Sequence, residues 1–176
     1  MATLYTIGHS THTLEEFIGI LNSHSIKALA DIRSFPGSRR LPHFNRESLE
    51  ESLSAAGILY FWVPELGGRR KKSLEHSPHT NFRNDSFRNY ADHMMTAEFQ
   101  QGASKLLELA EKFRTAYMCA ESVYFKCHRM LVSDWLVAHG HEILHISGTG
   151  PAKPHKQIVG SRMVDGQLIY AGDTLF

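Results

Sequence analysis

Five short apolar runs, each ending in a polar or glycine-bearing stretch and set apart by helix-sized lengths, leave this chain few folds to choose from. They are Leu4 to Ile7, Lys27 to Ile32, Ile58 to Val63, Ala116 to Met118 and His141 to Ile146. Between the first two, Thr13 and Glu16 form a capping box, and Leu14, Phe17, Ile18 and Leu21 share one helical face. Strand, helix, strand at this length is a βαβ unit, which predicts a parallel pair with a right-handed crossover. Asn45 caps a second helix through Leu49, Leu53 and Ala56 that Gly57 closes. Tyr90 to Phe113 reads as a helical stretch broken near Gly102, and Cys127 to Val137 as a helix with Leu131, Trp135 and Leu136 inward. The third run, ILYFWV, is continuously apolar and predicts a strand covered on both faces. Gln157 to Tyr170 predicts a peripheral hairpin turning at Asp165 and Gly166. The pattern is that of a single α/β domain over residues 1–176: a mainly parallel, doubly wound sheet of Rossmann or flavodoxin-like kind, with about five strands and helices on both faces.

In such sheets ligands bind at the carboxyl ends of the strands. Those ends carry Gly8, His9 and Ser10; Asp31 to Arg33 with a basic loop behind; Glu65 to Arg70; Cys119 to Glu121; and His145. The basic loop, SFPGSRRLPHFN, cannot be regular because of Pro36, Gly37 and Pro42, and it holds Arg39, Arg40 and His43. After the third strand PELGGRRKK brings Gly67, Gly68 and four consecutive basic residues, Arg69 to Lys72. Ser73 to Asn89 is polar and predicts either a mobile loop or a lid, with Phe82 and Phe87 to dock it. Almost every polar group of interest falls on one sheet edge.

The leading candidate for a site is the corner where the fourth strand meets its helix, with Cys119, Glu121, Cys127, His128 and Arg129. A helix N-terminus favours an anion. A thiolate on Cys127 beside Arg129 is therefore stabilised. The competing reading is that both cysteines fill the core, as buried cysteines commonly do. Spacing excludes two other chemistries. Counting Cys, five residues, Arg from Cys119 lands on Phe125, so no phosphatase-type loop is written, and no Cys, two residues, Cys pair occurs.

Composition enters mainly to exclude. With 42% hydrophobic residues and a formal charge of +1, the chain is neither disordered nor strongly basic. Two cysteines make no disulfide framework, and MATLYTIGHSTH lacks a basic n-region and an apolar h-region, which predicts a cytoplasmic protein with reduced thiols. No run approaches the ~18 apolar residues of a membrane span. Oligomeric state is not legible.

TIGHS at 6–10, DIRSFPGSRR at 31–40 followed by PHFN, ELGGRR at 65–70, and MCAE with CHR at 118–129 together resemble the DUF488 family, small proteins of unassigned function. The similarity spans almost the whole chain. It implies motif positions at His9, Ser10, Asp31, Arg33, Pro36, Arg39, Arg40, Gly67, Gly68, Cys119, Glu121, Cys127, His128 and Arg129, and it brings no reaction.

Four functions compete for these residues. In the first, an enzyme takes an anionic substrate, phosphate-bearing, nucleotide or nucleic-acid. Arg33, Arg39, Arg40, Arg69 and Arg129 bind the charge, Glu121, His128 or His9 moves a proton, and Ser10, Asp31, Gly67 and Gly68 line the site. Arginines paired with Asp31 or Glu121 for structure alone are the plainer alternative. No nucleotide-cofactor motif is present. In the second, Cys127 is a nucleophile that Cys119 resolves, for redox or sulfur handling. In the third, zinc is held by Cys119, Cys127, His128 and one of His9, His43 or His145, although adjacent Cys127 and His128 on one helix point apart. The fourth is a non-catalytic nucleic-acid-binding module built on the basic clusters with Phe44 or Phe82 stacking, which the near-neutral charge disfavours.

Overall fold

The computed structural model describes residues 1–171. In chain order, β1 (Thr3–Gly8) leads to α1 (Leu14–Ser23), and β2 (Ala28–Asp31) to α2 (Arg46–Ala55). Next, β3 (Leu59–Trp62) is followed by two helices, α3 (Asp85–His93) and α4 (Ala97–Lys112), and β4 (Thr115–Cys119) by α5 (Arg129–Ala138). The chain ends through β5 (Glu142–His145), the short β6 (Lys153–Pro154) and a hairpin of β7 (Ser161–Val164) and β8 (Gln167–Tyr170). The sheet has six strands in the order β3-β2-β4-β1-β5-β6, parallel except for β6. The hairpin is separate and turns at Asp165 and Gly166, both at positive φ as a tight hairpin turn requires.

Alternate strand residues point to opposite faces, and this divides the core in two. Tyr5, Ile7, Leu29 and Met118 pack against Phe17 and Leu21 of α1 and Leu49 and Leu53 of α2. Leu4, Ala30, Ile32 and Tyr117 pack against Tyr90, Phe99, Leu106 and Leu131 of α3, α4 and α5. Helices therefore cover both faces of a mainly parallel sheet. The cap at Thr13 forms, its hydroxyl accepting the Glu16 N–H at 3.1 Å.

Several local expectations change in three dimensions. β1 and β2 are parallel but not neighbours, because β4 lies between them. All five residues of β4 are buried, which suits a central strand. β3 is an edge strand, with Leu59 45% and Phe61 37% exposed, so its apolar run did not mean cover on both faces. The break in the long helical stretch falls at 94–96 rather than at Gly102. Thr96 begins a new helix by accepting the Phe99 N–H, and Gly102 lies inside that helix, where a Cβ would stand 2.8 Å from Leu66 Cγ. α5 starts at Arg129, not Cys127; a 3-10 turn at Tyr124–Lys126 comes first and Cys127 is extended. The segment before α3 is docked: Phe82 packs on Tyr170, and buried His79 accepts the Tyr170 N–H through Nδ1 at 3.2 Å. Among the described residues no helix is long and apolar enough to cross a membrane.

Candidate active site

The carboxyl ends of β1, β2 and β4 lie side by side, and the chain leaving β4 runs across the end of β1 to reach α5 and β5. Gly8 permits that crossing. A Cβ there would stand 1.8 Å from the Glu121 carbonyl oxygen. The two chains are then tied together as His9 N–H donates to Cys119 O and Ser10 N–H to Ala120 O, both at 3.0 Å. A cleft of about 780 Å³ opens over these ends. His9, Ser10, Arg33, Gly68, Arg69, Cys119, Glu121, Cys127 and His128 all contribute to its lining, so five separated motifs meet in one place.

At its floor the two cysteine sulfurs are 2.9 Å apart. Cys119 is buried and Cys127 partly open. Arg129, only 1% exposed, wraps the pair: Nε donates to Cys119 Sγ at 3.0 Å, Nη1 to Thr6 Oγ1 at 2.9 Å, and Nη2 to the carbonyls of Glu121 and Ser122. Its own backbone N–H donates to Cys127 Sγ at 3.3 Å. Among the described residues no carboxylate lies within ion-pair distance of this guanidinium. A buried guanidinium cannot lose its proton and must be compensated. The sulfurs are the groups able to supply that negative charge. The hydrogen bond from Cys119 outweighs burial and, with His128 and Arg129 alongside, pulls Cys127 well below the ordinary thiol value. Burial and the Cys127 charge push Cys119 well above its own. The two shifts are opposed, and Cys127, the sulfur nearer the cleft, is the more acidic of the pair. Burial opposes the Arg129 charge, but the two sulfurs raise its pKa nonetheless.

His128 joins from the start of α5. Its Nε2 donates to the Ile32 carbonyl at 2.9 Å, so Nδ1 is the nitrogen left for proton exchange. Gly68 keeps that nitrogen open, since a Cβ there would meet Nδ1 at 2.4 Å. Gly67 serves the loop instead, packing against Ser34, whose hydroxyl accepts the Arg69 N–H at 3.0 Å. Arg69 itself is exposed on the rim beside Phe35, and Lys126 lies across the cleft.

Of the remaining candidates, Arg33, His9 and Glu121 reach the cleft lining and Arg39 and Arg40 do not. Arg33 is bound bidentately by the fully buried Asp31, with Nε–Oδ1 2.9 Å and Nη2–Oδ2 2.7 Å, and also donates to Phe44 O. Tyr60 adds a hydroxyl donor to Asp31 at 2.5 Å. Arg33 Nη1 faces His9 Nε2 at 3.3 Å, so that nitrogen accepts, and Nδ1–H donates to Ser10 O at 2.8 Å. Both His9 nitrogens are thereby committed. Burial holds His9 at about 4 and the ring, stacked on Phe44, is neutral at pH 7. The Asp31–Arg33 pair is thus buried and bidentate, and the Arg129 guanidinium is engaged by Cys119, Thr6 and two carbonyls. Arg39 and Arg40 are exposed and outside the cleft lining. The Glu121 side chain is exposed at the cleft; it is the Glu121 carbonyl that receives Arg129. Among the described residues no group of three histidine, cysteine or acidic side chains is placed to hold a metal ion.

Thr6, Asp134 and His155 stand behind Arg129 and are functional residues that the sequence alone did not single out. Thr6 opens the TIGHS motif and Asp134 is a carboxylate on the Leu131 face of a helix, both readable signals, whereas His155, in a loop, had none.

The family described as Domain of unknown function DUF488 matches residues 13–136. No curated protein and no solved structure matches the chain.

Proposed function

The chain belongs to the DUF488 family, whose description carries no reaction, and from its cysteine corner we propose that it is a thiol-dependent enzyme acting on an electrophilic sulfur, in the manner of a disulfide reductase. The observation that carries this reading is the fully buried Arg129 with two sulfurs beside it and, among the described residues, no carboxylate for a partner. Cys127, as thiolate, attacks one sulfur of a substrate disulfide; a mixed disulfide forms and the other half leaves as a thiolate. That thiolate takes the proton of Cys119, and the Cys119 sulfur attacks Cys127, forming the intramolecular disulfide and expelling the second half as a thiolate. The substrate is reduced by two electrons and the cysteine pair is oxidised. An external dithiol reductant restores the pair. Arg69 and Lys126 on the cleft rim favour a substrate that carries negative charge, which keeps the anionic character of the ligand while moving the chemistry to sulfur.

The test is a trapping experiment with an aromatic disulfide whose leaving thiolate is coloured. Wild type should release both halves and end with Cys119 joined to Cys127. Cys119→Ser should stop at a stable mixed disulfide on Cys127, and Cys127→Ser should release nothing at a comparable rate. Attachment of the probe at Cys119, or equal release from all three proteins, would refute the assignment.

A further inference from the structure

Behind Arg129 runs a buried line of polar groups that the proposed reaction does not use. Thr6 and Asp134 are fully buried, and His145 and His155 are 6% and 9% exposed. Thr6 Oγ1 accepts from Arg129 and is also hydrogen-bonded to His145 Nδ1 at 2.7 Å. His145 Nε2 is hydrogen-bonded in turn to His155 Nδ1 at 2.8 Å. His155 donates from Nε2 to Asp134 Oδ1 at 2.6 Å. Asp134 is anchored as an acceptor by the Ile158 N–H at 3.1 Å and the Tyr170 hydroxyl at 3.0 Å. The line therefore runs from a buried cation to a buried carboxylate through two imidazoles.

A second contact leads from this line to the nucleophile. Tyr124 lies flat on His145, with ring centroids 3.5 Å apart and planes within 5°. It sits in the 3-10 turn just before Cys127, whose N–H donates to the Tyr124 carbonyl at 3.3 Å.

We propose that Thr6, His145, His155 and Asp134 are positioning residues that hold the Arg129 fork on Cys119 Sγ, beside Cys127, and so set the acidity of Cys127. The inference rests on the thiol reading above. Thr6 Oγ1 takes the Arg129 Nη1–H on a lone pair, and its bond to His145, which His155 and Asp134 hold from behind, fixes where that oxygen stands. Breaking a bond in the line lets that oxygen turn away, and Arg129 loses a fixed acceptor. The guanidinium then shifts off Cys119. Burial, with His155 and Arg129 close by, lowers the basicity of His145 and keeps that ring neutral across physiological pH. The groups facing the two rings are Arg129 and Asp134 from α5, Thr6 from β1, Tyr124 from the 3-10 turn and Tyr170 from β8.

The experiment is the pH profile of Cys127 alkylation by iodoacetamide in wild type, Thr6→Val, Thr6→Ser and His155→Leu, with folding of each checked by circular dichroism. None of these changes alters the formal charge. Thr6→Val should move the midpoint up by about one pH unit, a tenfold loss of thiolate at a pH below it. Thr6→Ser should stay within about twofold of wild type, and His155→Leu should follow Thr6→Val. Folded Thr6→Val or His155→Leu protein with the wild-type midpoint would overturn the inference, and His155→Leu decides it if Thr6→Val does not fold. An ordinary thiol midpoint in wild type would overturn the thiol reading itself and this inference with it.

Discussion

Removing the two sulfurs should harm this fold more than removing the arginine they surround. In Cys119→Ala/Cys127→Ala, the guanidinium of Arg129 stays 1% exposed and charged, without an anion. It cannot neutralise itself. Breaking a buried pair from this side costs about 3–5 kcal/mol. In Arg129→Met the remaining partner can escape, because a thiolate without its cation takes up a proton and becomes a core thiol. Two carbonyls, of Glu121 and Ser122, lose a donor, but both residues are exposed and water can replace it. That variant should lose about 1–3 kcal/mol. The triple variant combines the cavities and removes the charge, so adding Arg129→Met to the double alanine variant should restore stability. Urea unfolding reads all three. The double variant should melt roughly 6–20 °C below wild type at this chain length. Double alanine protein within about 0.5 kcal/mol of wild type, or a triple variant weaker than the double, would refute the claim that a thiolate balances Arg129.

Other consequences follow from the same geometry. Gly68→Ala places a Cβ against His128 Nδ1 and should turn the ring off the Ile32 carbonyl, costing about 1 kcal/mol in a melting experiment and slowing Cys127 alkylation. Asp31→Asn leaves Arg33 buried without its bidentate partner and should cost about 3–5 kcal/mol in urea unfolding. The alkylation rate of Cys127 in its folded fraction should not change, as expected of a structural pair. His9 gives a pH dependence of defined sign. Burial lowers it to about 4 in the fold, against about 6.5 in the unfolded chain. Its contribution is intact above about pH 6.5 and is lost as pH falls through that window, about 3 kcal/mol in all. Urea midpoints measured from pH 7 to pH 4 should fall, and His9→Gln should flatten the fall.

Much of the architecture could be read from the chain because apolar runs and caps are local signals. Thr13, Asn45, Gly57 and the Asp165–Gly166 turn all stand at element boundaries. Strand order was less accessible. β4 enters between β1 and β2 from far along the chain, and no local pattern announces it. The edge position of β3 escaped for a related reason: Leu59 and Phe61 are as apolar as core residues although they face outward. At the cleft, residue types at strand ends identified Cys119, Cys127, His128 and Gly68 as neighbours. Which arginine does what was not legible, because it depends on distance. Asp31 takes Arg33 and the sulfurs take Arg129, and sequence shows only that all five residues lie near strand ends. The 3-10 turn that holds Cys127 just ahead of α5 is another case, since Tyr124 to Lys126 carries no helix-breaking residue.

Both the proposed reaction and the role of the buried line behind Arg129 depend on a Cys127 thiolate at neutral pH. The rate of alkylation of each cysteine against pH, read separately by peptide mass spectrometry, measures it. Cys127 should react as a thiolate well below the ordinary value of about 8.5, while Cys119 stays slow until much higher pH. Two cysteines that both follow the ordinary thiol profile, or a fast Cys119 beside a slow Cys127, would contradict it.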